Sequence, residues 1–279
     1  MSYIYPMQDR IDITRLANIA VEAGKIIMNY YQTDTLGIFH KSDRSPVTEA
    51  DYAAHEYICH QLNDLTPQIP ILSEEGGMID YNTRRHWSSL WIVDPLDGTS
   101  EFIHRTCHFA VCIGLVRDGF PVMGVIYLPA LQELFFADGQ HTFKQLPDGT
   151  TVKLSVPEKP LCWPWRAVCS KGKLPEPDRT FLQLLHIPYA KPLGSALKYC
   201  ALAEGKADIF FRTRKNQEWD SAAGQAIIEQ AGGHVLDLKG NRFSYNKKQL
   251  NNPPFVCLGF ADKSLVISAL SSLSQQTRN

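Results

Sequence analysis

The chain has 279 residues, with 28 basic and 29 acidic side chains and a formal net charge of −1. This balance gives no global basic field for nucleic acid, although a local basic cluster could bind a small anion. Seven cysteines without a CxxC pair favour a reduced, cytoplasmic setting over a disulfide scaffold. No apolar run is long enough to span a bilayer, and peripheral contact with the cytoplasmic face of an inner membrane stays open.

The first half of the chain predicts two helices and then a run of strands. Apolar residues at helical spacing predict a helix over 11–31, for which Asp12 is the N-cap. Thr48, followed three residues later by Asp51, resembles a capping box and predicts a second helix that ends near Leu65. Strands are expected at 69–72 and 90–93. An antiparallel meander is expected at 111–116, 122–128 and 133–137, and a hairpin at 142–146 and 151–156.

Three prolines at 157, 160 and 164 mark a domain boundary. They divide the chain into an N-terminal α+β metal-binding domain, residues 1–158, and a C-terminal α/β domain, residues 159–279. In the second part, strands at 167–170, 207–211, 234–238 and 255–258 alternate with helices at 180–185, 195–204, 221–231 and 262–273. This alternation predicts a largely parallel sheet there, beside the antiparallel sheet of the first part.

Two carboxylates lie three residues apart in the segment 91–100, directly after an apolar strand. Asp94 and Asp97 at the end of a buried strand repel each other and resist desolvation, so a cation is expected between them. Carboxylate oxygens are hard ligands that suit Mg²⁺. Asp-Pro and Asp-Gly are also turn dipeptides, and a turn is therefore the alternative for this pair.

Further acids stand at other strand ends or helix starts. Glu74 and Glu75 follow a predicted strand, and Asp220 precedes a predicted helix, where an N-cap is its alternative role. Together with the Asp pair, these acids could hold two divalent ions roughly 3.5–4 Å apart. Thr99 with Asp51 could position a water and accept its proton, although Asp51 alone would also fit a helix cap.

Several other catalytic classes lack their motifs. His104 and His108 have i, i+4 spacing without the intervening Glu of zinc proteases. The chain has no GxSxG elbow, phosphate-binding P-loop or cysteine-phosphatase loop. The i, i+3 spacing of Asp94 and Asp97 differs from the i, i+2 spacing of phosphatases with an aspartyl nucleophile, and it favours metal-activated water.

Three motifs, spread in order along nearly the whole chain, resemble the inositol monophosphatase superfamily. They are Ser73-Glu74-Glu75, Asp94-Pro95-Leu96-Asp97-Gly98-Thr99 and Trp219-Asp220-Ser221-Ala222-Ala223-Gly224. Within the superfamily, three segments resemble the bacterial 3'(2'),5'-bisphosphate nucleotidases, namely 45–51, 99–103 and 194–205. The resemblance implies a layered α-β-α-β-α sandwich, inhibition by Li⁺, and Mg²⁺-dependent hydrolysis of adenosine 3',5'-bisphosphate, a by-product of sulfate activation, to AMP and phosphate.

The resemblance also implies a role for each matching residue. Two or more Mg²⁺ ions would be held by Glu74, Asp94, the Leu96 carbonyl, Asp97 and Asp220. Thr99 and Asp51 would be catalytic, and Glu75 would support the ligands. Substrate would contact the metal-binding Glu74, Leu96, Asp97 and Asp220, the amides of Gly98 and Thr99, and, on the nucleotide side, Ser195 and Lys198.

Two other functions stay open at this point. An inositol or sugar monophosphatase would use the same scaffold and metal site, with different polar contacts beyond the phosphate. A metal- and nucleotide-binding sensor without turnover belongs to another class, and the presence of both Asp51 and Thr99 argues against it. The expected partner is a small phosphorylated nucleotide rather than nucleic acid, and the sequence leaves the oligomeric state open.

Overall fold

The computed structural model describes residues 11–33, 37–40 and 46–276, so Ser45 of the segment 45–51 lies outside the described residues. The helices are α1 (Ile13–Tyr31), α2 (Glu49–Leu65), α3 (Tyr81–Arg84), α4 (Thr99–Ile103), α5 (Glu176–Leu184), α6 (Leu197–Ala203), α7 (Ala222–Gln230) and α8 (Ser264–Gln276). The first nine strands are β1 (Ile38–His40), β2 (Pro46–Thr48), β3 (Ile71–Ser73), β4 (Ser89–Asp97), β5 (Ala110–Arg117), β6 (Phe120–Leu128), β7 (Glu133–Ala137), β8 (Thr142–Gln145) and β9 (Thr151–Leu154). The remaining strands are β10 (Ala167–Cys169), β11 (Ala190–Pro192), β12 (Ile209–Arg212), β13 (His234–Asp237) and β14 (Phe255–Leu258).

The larger sheet has seven strands in the order β3-β4-β5-β6-β7-β8-β9. Strands β3 and β4 pair in parallel, and every later neighbour pairs antiparallel, as the predicted meander requires. Because side chains alternate between the faces of a strand, Trp91 and Val93 of β4 pack against α1 and α2, whereas Leu90 and Ile92 pack towards α6 and α7. Both faces of β4 are therefore buried.

Helices α6 and α7 form a middle layer between the two sheets. One apolar cluster joins Ile92 of the larger sheet, Ala223 and Ala226 of α7, and Phe210 of the smaller sheet. The opposite face of the smaller sheet, with Phe211 of β12, packs against α5 and α8. The layers thus follow the order α-β-α-β-α, and the predicted layered sandwich is confirmed. The division into domains at 158/159 stays a prediction, because the middle layer packs on both sheets.

The smaller sheet differs from the expectation of a largely parallel arrangement. Its order is β11-β10-β12-β14-β13, and β10 pairs in parallel with β11 and β12. Strand β14 pairs antiparallel with both β12 and β13. The connection 238–254 contains no helix, so the chain turns back and inserts β14 between two strands that α7 connects. Helix–strand alternation predicted β12, α7 and β13 but not this insertion.

Candidate active site

The predicted acids converge at the carboxyl end of β4. The pairing of β4 with β5 shifts register between Asp94 and Asp97, so the strand bends where these residues leave the sheet. The Leu96 amide donates to Asp94 Oδ1 at 3.1 Å and stabilises the bend. Glu74 follows β3, and its amide donates to the Val93 carbonyl at 3.0 Å. Because β3 and β4 run in parallel, their final acids lie at the same edge of the sheet.

Asp220 joins the two β4 carboxylates from the loop before α7. One carboxylate oxygen each of Asp94, Asp97 and Asp220 lies within 4.8 Å of the others. The Gln217 amide donates to Asp220 Oδ2 at 2.7 Å and fixes this side chain. Helix α7 packs so closely on the larger sheet that a Cβ on Gly124 would lie 2.7 Å from the Ala223 carbonyl oxygen. This close approach brings Asp220 to the edge of the sheet.

The electrostatics of this cluster favour a bound cation. Burial raises the pKa of Asp94 well above its usual range, and repulsion by Glu74, Asp97 and Asp220 adds to the effect. Burial and the charge of Asp97 raise the pKa of Asp220 to about 7. Burial also raises the pKa of Asp97, although Lys198 opposes it. A cluster of carboxylates that offers only oxygen donors fits Mg²⁺.

Asp51 and Thr99 lie together, as their predicted catalytic pairing requires. Thr99 Oγ1 lies 3.0 Å from Asp51 Oδ1 and 3.2 Å from the Leu96 carbonyl oxygen. Asp51 Oδ2 accepts hydrogen bonds from the Thr48 amide at 2.8 Å and from Thr48 Oγ1 at 2.6 Å. The capping role and the pairing with Thr99 therefore coexist, because each uses a different oxygen of the same buried carboxylate.

Gly98 connects the acids of β4 to α4 through a left-handed backbone conformation. Its φ is +94°, and a Cβ there would lie 2.9 Å from the His108 carbonyl oxygen and 3.1 Å from Ser195 Cβ. Glycine adopts this conformation without the steric penalty that other residues carry. The turn brings Thr99 back towards Asp51.

Ser195 and Lys198 border the same site from the start of α6. Ser195 Oγ donates to Asp97 Oδ2 at 2.8 Å. Lys198 Nζ donates to the carbonyls of Ser195 at 2.5 Å and Leu193 at 3.2 Å, and burial lowers its pKa to about 8. Lys198 thus stabilises the turn that carries Ser195, and its contact with a nucleotide stays a prediction. Glu75 follows Glu74 in a turn that the hydrogen bond from the Gly76 amide to the Ser73 carbonyl closes at 3.1 Å, and its supporting role also stays a prediction.

A cavity of about 220 Å³ opens beside the acidic cluster and contains side chains that the sequence did not single out. Its polar lining includes Asp97, Asp220, Glu101, Ser170, Lys171, Ser195, Lys198, Arg212 and Asn216. Lys171 follows β10, and Arg212 ends β12. These strands are parallel neighbours, so their carboxyl ends lie at one edge of the sheet. Ligands commonly bind at the carboxyl ends of parallel strands, so knowledge that β10 and β12 pair would have pointed to both cations.

His55 is another residue that the sequence analysis missed. It lies one helical turn after Asp51 on α2, and its Nδ1 lies 2.8 Å from Ser73 Oγ and 3.5 Å from Cys59 Sγ. Burial lowers the pKa of His55, which favours the neutral ring. Ser73 precedes Glu74, so His55 connects α2 to the turn that carries a predicted metal ligand. The i, i+4 spacing of Asp51 and His55 was the available signal.

Comparisons with known proteins agree with this site and this fold. The model of the inositol monophosphatase family matches residues 7–271. The 3'(2'),5'-bisphosphate nucleotidase CysQ of Salmonella typhimurium is 38% identical over 245 residues, which cover 87% of this chain and 98% of that protein. The CysQ nucleotidase of Escherichia coli K12 is 36% identical, with the same coverage of both proteins.

Solved structures give the same assignment. The crystal structure of CysQ from Bacteroides thetaiotaomicron matches with a TM-score of 0.76 and 35% identity, over 91% of this chain and 98% of that one. An IMPase of Thermotoga maritima matches with a TM-score of 0.73 and 25% identity, over 96% and 99% of the two chains. Within the described ranges, no helix is both long and apolar enough to cross a membrane. The chain belongs to the inositol monophosphatase family.

Proposed function

We propose that this chain is a Mg²⁺-dependent 3'(2'),5'-bisphosphate nucleotidase that converts adenosine 3',5'-bisphosphate to AMP and phosphate. The observation that carries the proposal is the convergence of Asp94, Asp97 and Asp220 within 4.8 Å, at a site that also contains Thr99 paired to Asp51. The groups that we propose to bind metal and to position water therefore lie at one site. The names of the CysQ relatives support the choice of a bisphosphorylated nucleotide as substrate.

The proposed ligands of two or more Mg²⁺ ions are Glu74, Asp94, the Leu96 carbonyl, Asp97 and Asp220. Bound Mg²⁺ would polarise the phosphate oxygens and lower the pKa of a coordinated water. The carboxylates would fix the position of the phosphate ester only through the cations that they hold. Ser195 restrains Asp97 through its hydrogen bond, so that this ligand keeps one orientation.

Thr99 and Asp51 are proposed to orient the attacking water and accept its proton. Thr99 Oγ1 donates its own hydrogen to Asp51 Oδ1, which leaves an oxygen lone pair to accept a hydrogen bond from water. As the water attacks phosphorus, its proton passes to Thr99 Oγ1 while the Thr99 proton moves to Asp51 Oδ1. The bond between phosphorus and the 3' oxygen of the nucleotide breaks, and that oxygen leaves with AMP and takes a proton from solvent water. General-base assistance of this kind contributes about 10²–10⁴-fold to the rate.

The remaining proposed contacts bind the substrate on either side of the scissile bond. The amides of Gly98 and Thr99 lie at the start of α4 and would donate to phosphate oxygens. Ser195 and Lys198 shape the nucleotide side. Glu75 would support the neighbouring ligand Glu74, as outer carboxylates commonly do at metal sites.

Side-by-side values of kcat/KM for adenosine 3',5'-bisphosphate and inositol 1-phosphate, with Mg²⁺ and released phosphate as the readout, test the substrate. We expect the bisphosphate to be preferred, and a preference for the inositol ester would assign a sugar-phosphate phosphatase on the same scaffold. Asp97→Asn should abolish phosphate release. Wild-type protein that releases phosphate from no monoester would instead indicate a sensor, and Li⁺ should inhibit an active enzyme.

A further inference from the structure

The cavity beside the acidic cluster carries opposite charges on its two sides. Asp97 and Asp220 belong to the proposed metal site, and Lys171, Lys198 and Arg212 line the rest of the cavity. A phosphate ester bound at the acids would extend its leaving group into this space. The three cations are therefore the candidates for contact with a second anionic group on the substrate.

Two of these cations are already engaged by the protein itself. Lys198 is only 4% exposed, and its ammonium donates to two main-chain carbonyls, of Ser195 and Leu193. Arg212 Nη1 donates to Ser170 Oγ at 2.9 Å, and its Nη2 donates to the Lys215 carbonyl at 3.0 Å. These hydrogen bonds stabilise the walls of the cavity and reduce the number of donors that Lys198 and Arg212 can offer to a ligand.

Lys171 is placed differently from the other two. Its ammonium forms an ion pair with the Glu101 carboxylate, and 34% of its side chain is exposed. An ammonium has three donors, so Lys171 can bind an anion while it keeps Glu101. Within the described part of the chain, Lys171 is thus the cation of the cavity that contacts a carboxylate side chain and no main-chain carbonyl, while a third of its own side chain is exposed.

Glu101 is held firmly at the cavity wall. Its carboxylate accepts a hydrogen bond from Thr106 Oγ1 as well as from Lys171, and its side chain is 17% exposed. It also packs against Gly194, where a Cβ would lie 3.0 Å from Glu101 Cγ. Although burial alone would raise the pKa of Glu101, the hydrogen bonds from Lys171 and Thr106 lower it, so the group is anionic at neutral pH.

We propose that Lys171 is the specificity-determining cation of this site and binds the phosphate of the nucleotide that is not cleaved. Glu101 holds the Lys171 ammonium at the cavity, and its negative charge competes with that phosphate for the positive charge of Lys171. A monophosphate ester cleaved at the acids carries no second phosphate for Lys171. The inference rests on the proposed function and goes beyond it by assigning its selectivity to one ion pair.

The kinetic test compares adenosine 3',5'-bisphosphate with adenosine 3'-monophosphate for each variant. Lys171→Met should lower the ratio of kcat/KM for the two substrates by about 10- to 100-fold, since hydrogen bonds to charged groups are among the stronger ones in proteins. The change should fall on KM for the bisphosphate rather than on kcat. Lys171→Arg should keep most of the ratio, and Glu101→Gln should raise it, because the competing charge is gone.

Lys173→Met is the matched control. Lys173 is exposed on the same loop and is not among the residues that line the cavity. Lys173→Met therefore removes one positive charge near the site but does not remove the contact proposed for Lys171. The product AMP gives a second readout, because it retains the second phosphate. Its inhibition constant should rise in Lys171→Met by about the same factor as KM for the bisphosphate, and should stay within about twofold of wild type in Lys173→Met.

The possible failures are distinguishable. If wild-type protein hydrolyses the bisphosphate but Lys171→Met changes both substrates by the same factor, or changes neither, the proposal for Lys171 is overturned and the proposed function stands. An effect of Lys173→Met as large as that of Lys171→Met would overturn it too, as a general effect of charge. If wild-type protein prefers monophosphates, both proposals fail together.

Discussion

Replacing Thr99 by Val tests the proposed proton acceptor with little change in shape. Valine keeps the branched side chain but removes the hydroxyl, which lies 3.0 Å from Asp51 Oδ1. Because general-base assistance contributes about 10²–10⁴-fold, kcat should fall by that factor, or about 3–5 kcal/mol in the activation barrier. KM and the dependence on Mg²⁺ should change little, since Thr99 is not among the proposed metal ligands.

The effect on stability should be far smaller than the effect on rate. Asp51 keeps both hydrogen bonds from Thr48 when the Thr99 hydroxyl is removed. The loss of one hydrogen bond corresponds to about 1 kcal/mol, or a Tm shift of roughly 2–4 °C for a domain of 150–250 residues. Differential scanning calorimetry measures this shift, and it excludes unfolding as the reason for lost activity.

Phosphate release from adenosine 3',5'-bisphosphate at saturating Mg²⁺ is the assay. Thr99→Ser, which keeps a hydroxyl, is the control and should retain most of kcat. Asp51→Asn should lose about as much as Thr99→Val, and the double variant little more, because groups that act as a unit are not additive. A Thr99→Val protein within about threefold of wild-type kcat would refute the role of Thr99, and additive losses would refute its coupling to Asp51.

Three further predictions concern the metal site and its supports. In metal-free protein, burial and the charge of Asp97 raise the pKa of Asp220 from 3.8 to about 7, so the folded state binds a proton that the unfolded state lacks between these values. The free energy of unfolding measured in EDTA should therefore fall as the pH rises from about 4 to about 7. Saturating Mg²⁺ should remove this dependence on pH. A free energy of unfolding that rises over this range in EDTA would contradict the raised pKa. Gly98→Ala should destabilise the protein by about 1–3 kcal/mol and lower kcat, because its φ is +94° and its Cβ would crowd the His108 carbonyl. Gly139→Ala has a similar φ of +102° without a contact under 3.7 Å, and an equal loss of kcat there would mean that strain alone explains the effect. His55→Ala should raise the Mg²⁺ concentration for half-maximal activity several-fold, because the contact of His55 with Ser73 is lost. His55→Asn should restore part of the wild-type Mg²⁺ affinity. An unchanged Mg²⁺ dependence in both variants would show that His55 is not needed to position Glu74.

The sequence predicted the larger sheet well because its strands follow one another along the chain. Strand β7 has the predicted bounds, and β5 and β6 differ from them by one or two residues at their ends. Some short elements were missed: β1, β2 and β11 have three residues each and were not predicted. The insertion of β14 was missed because pairing between distant strands leaves no local signal.

For the candidate site too, residues close together in the chain were predicted from the sequence, whereas residues that meet only through distant strand pairing were missed. Asp94 and Asp97 lie three positions apart on one strand, and their position directly after an apolar segment predicted a cation site, with a turn as the alternative. Lys171 and Arg212 are separated by 41 positions and meet only because β10 and β12 pair in parallel. The family resemblance implied a contact of Lys198 with the nucleotide side of the substrate. The burial of Lys198 at 4% exposure and its two carbonyl partners were evident only from the packing of α6.

The central claim is that acids from distant parts of the chain bind divalent cations at the carboxyl end of β4. Anomalous diffraction from crystals grown with Mn²⁺ in place of Mg²⁺ tests it most directly. We predict two or more anomalous peaks within coordination distance of the carboxylates of Asp94, Asp97 and Asp220, with Glu74 and the Leu96 carbonyl among the ligands. Peaks confined to other parts of the protein, or none at all at saturating Mn²⁺, would contradict the account.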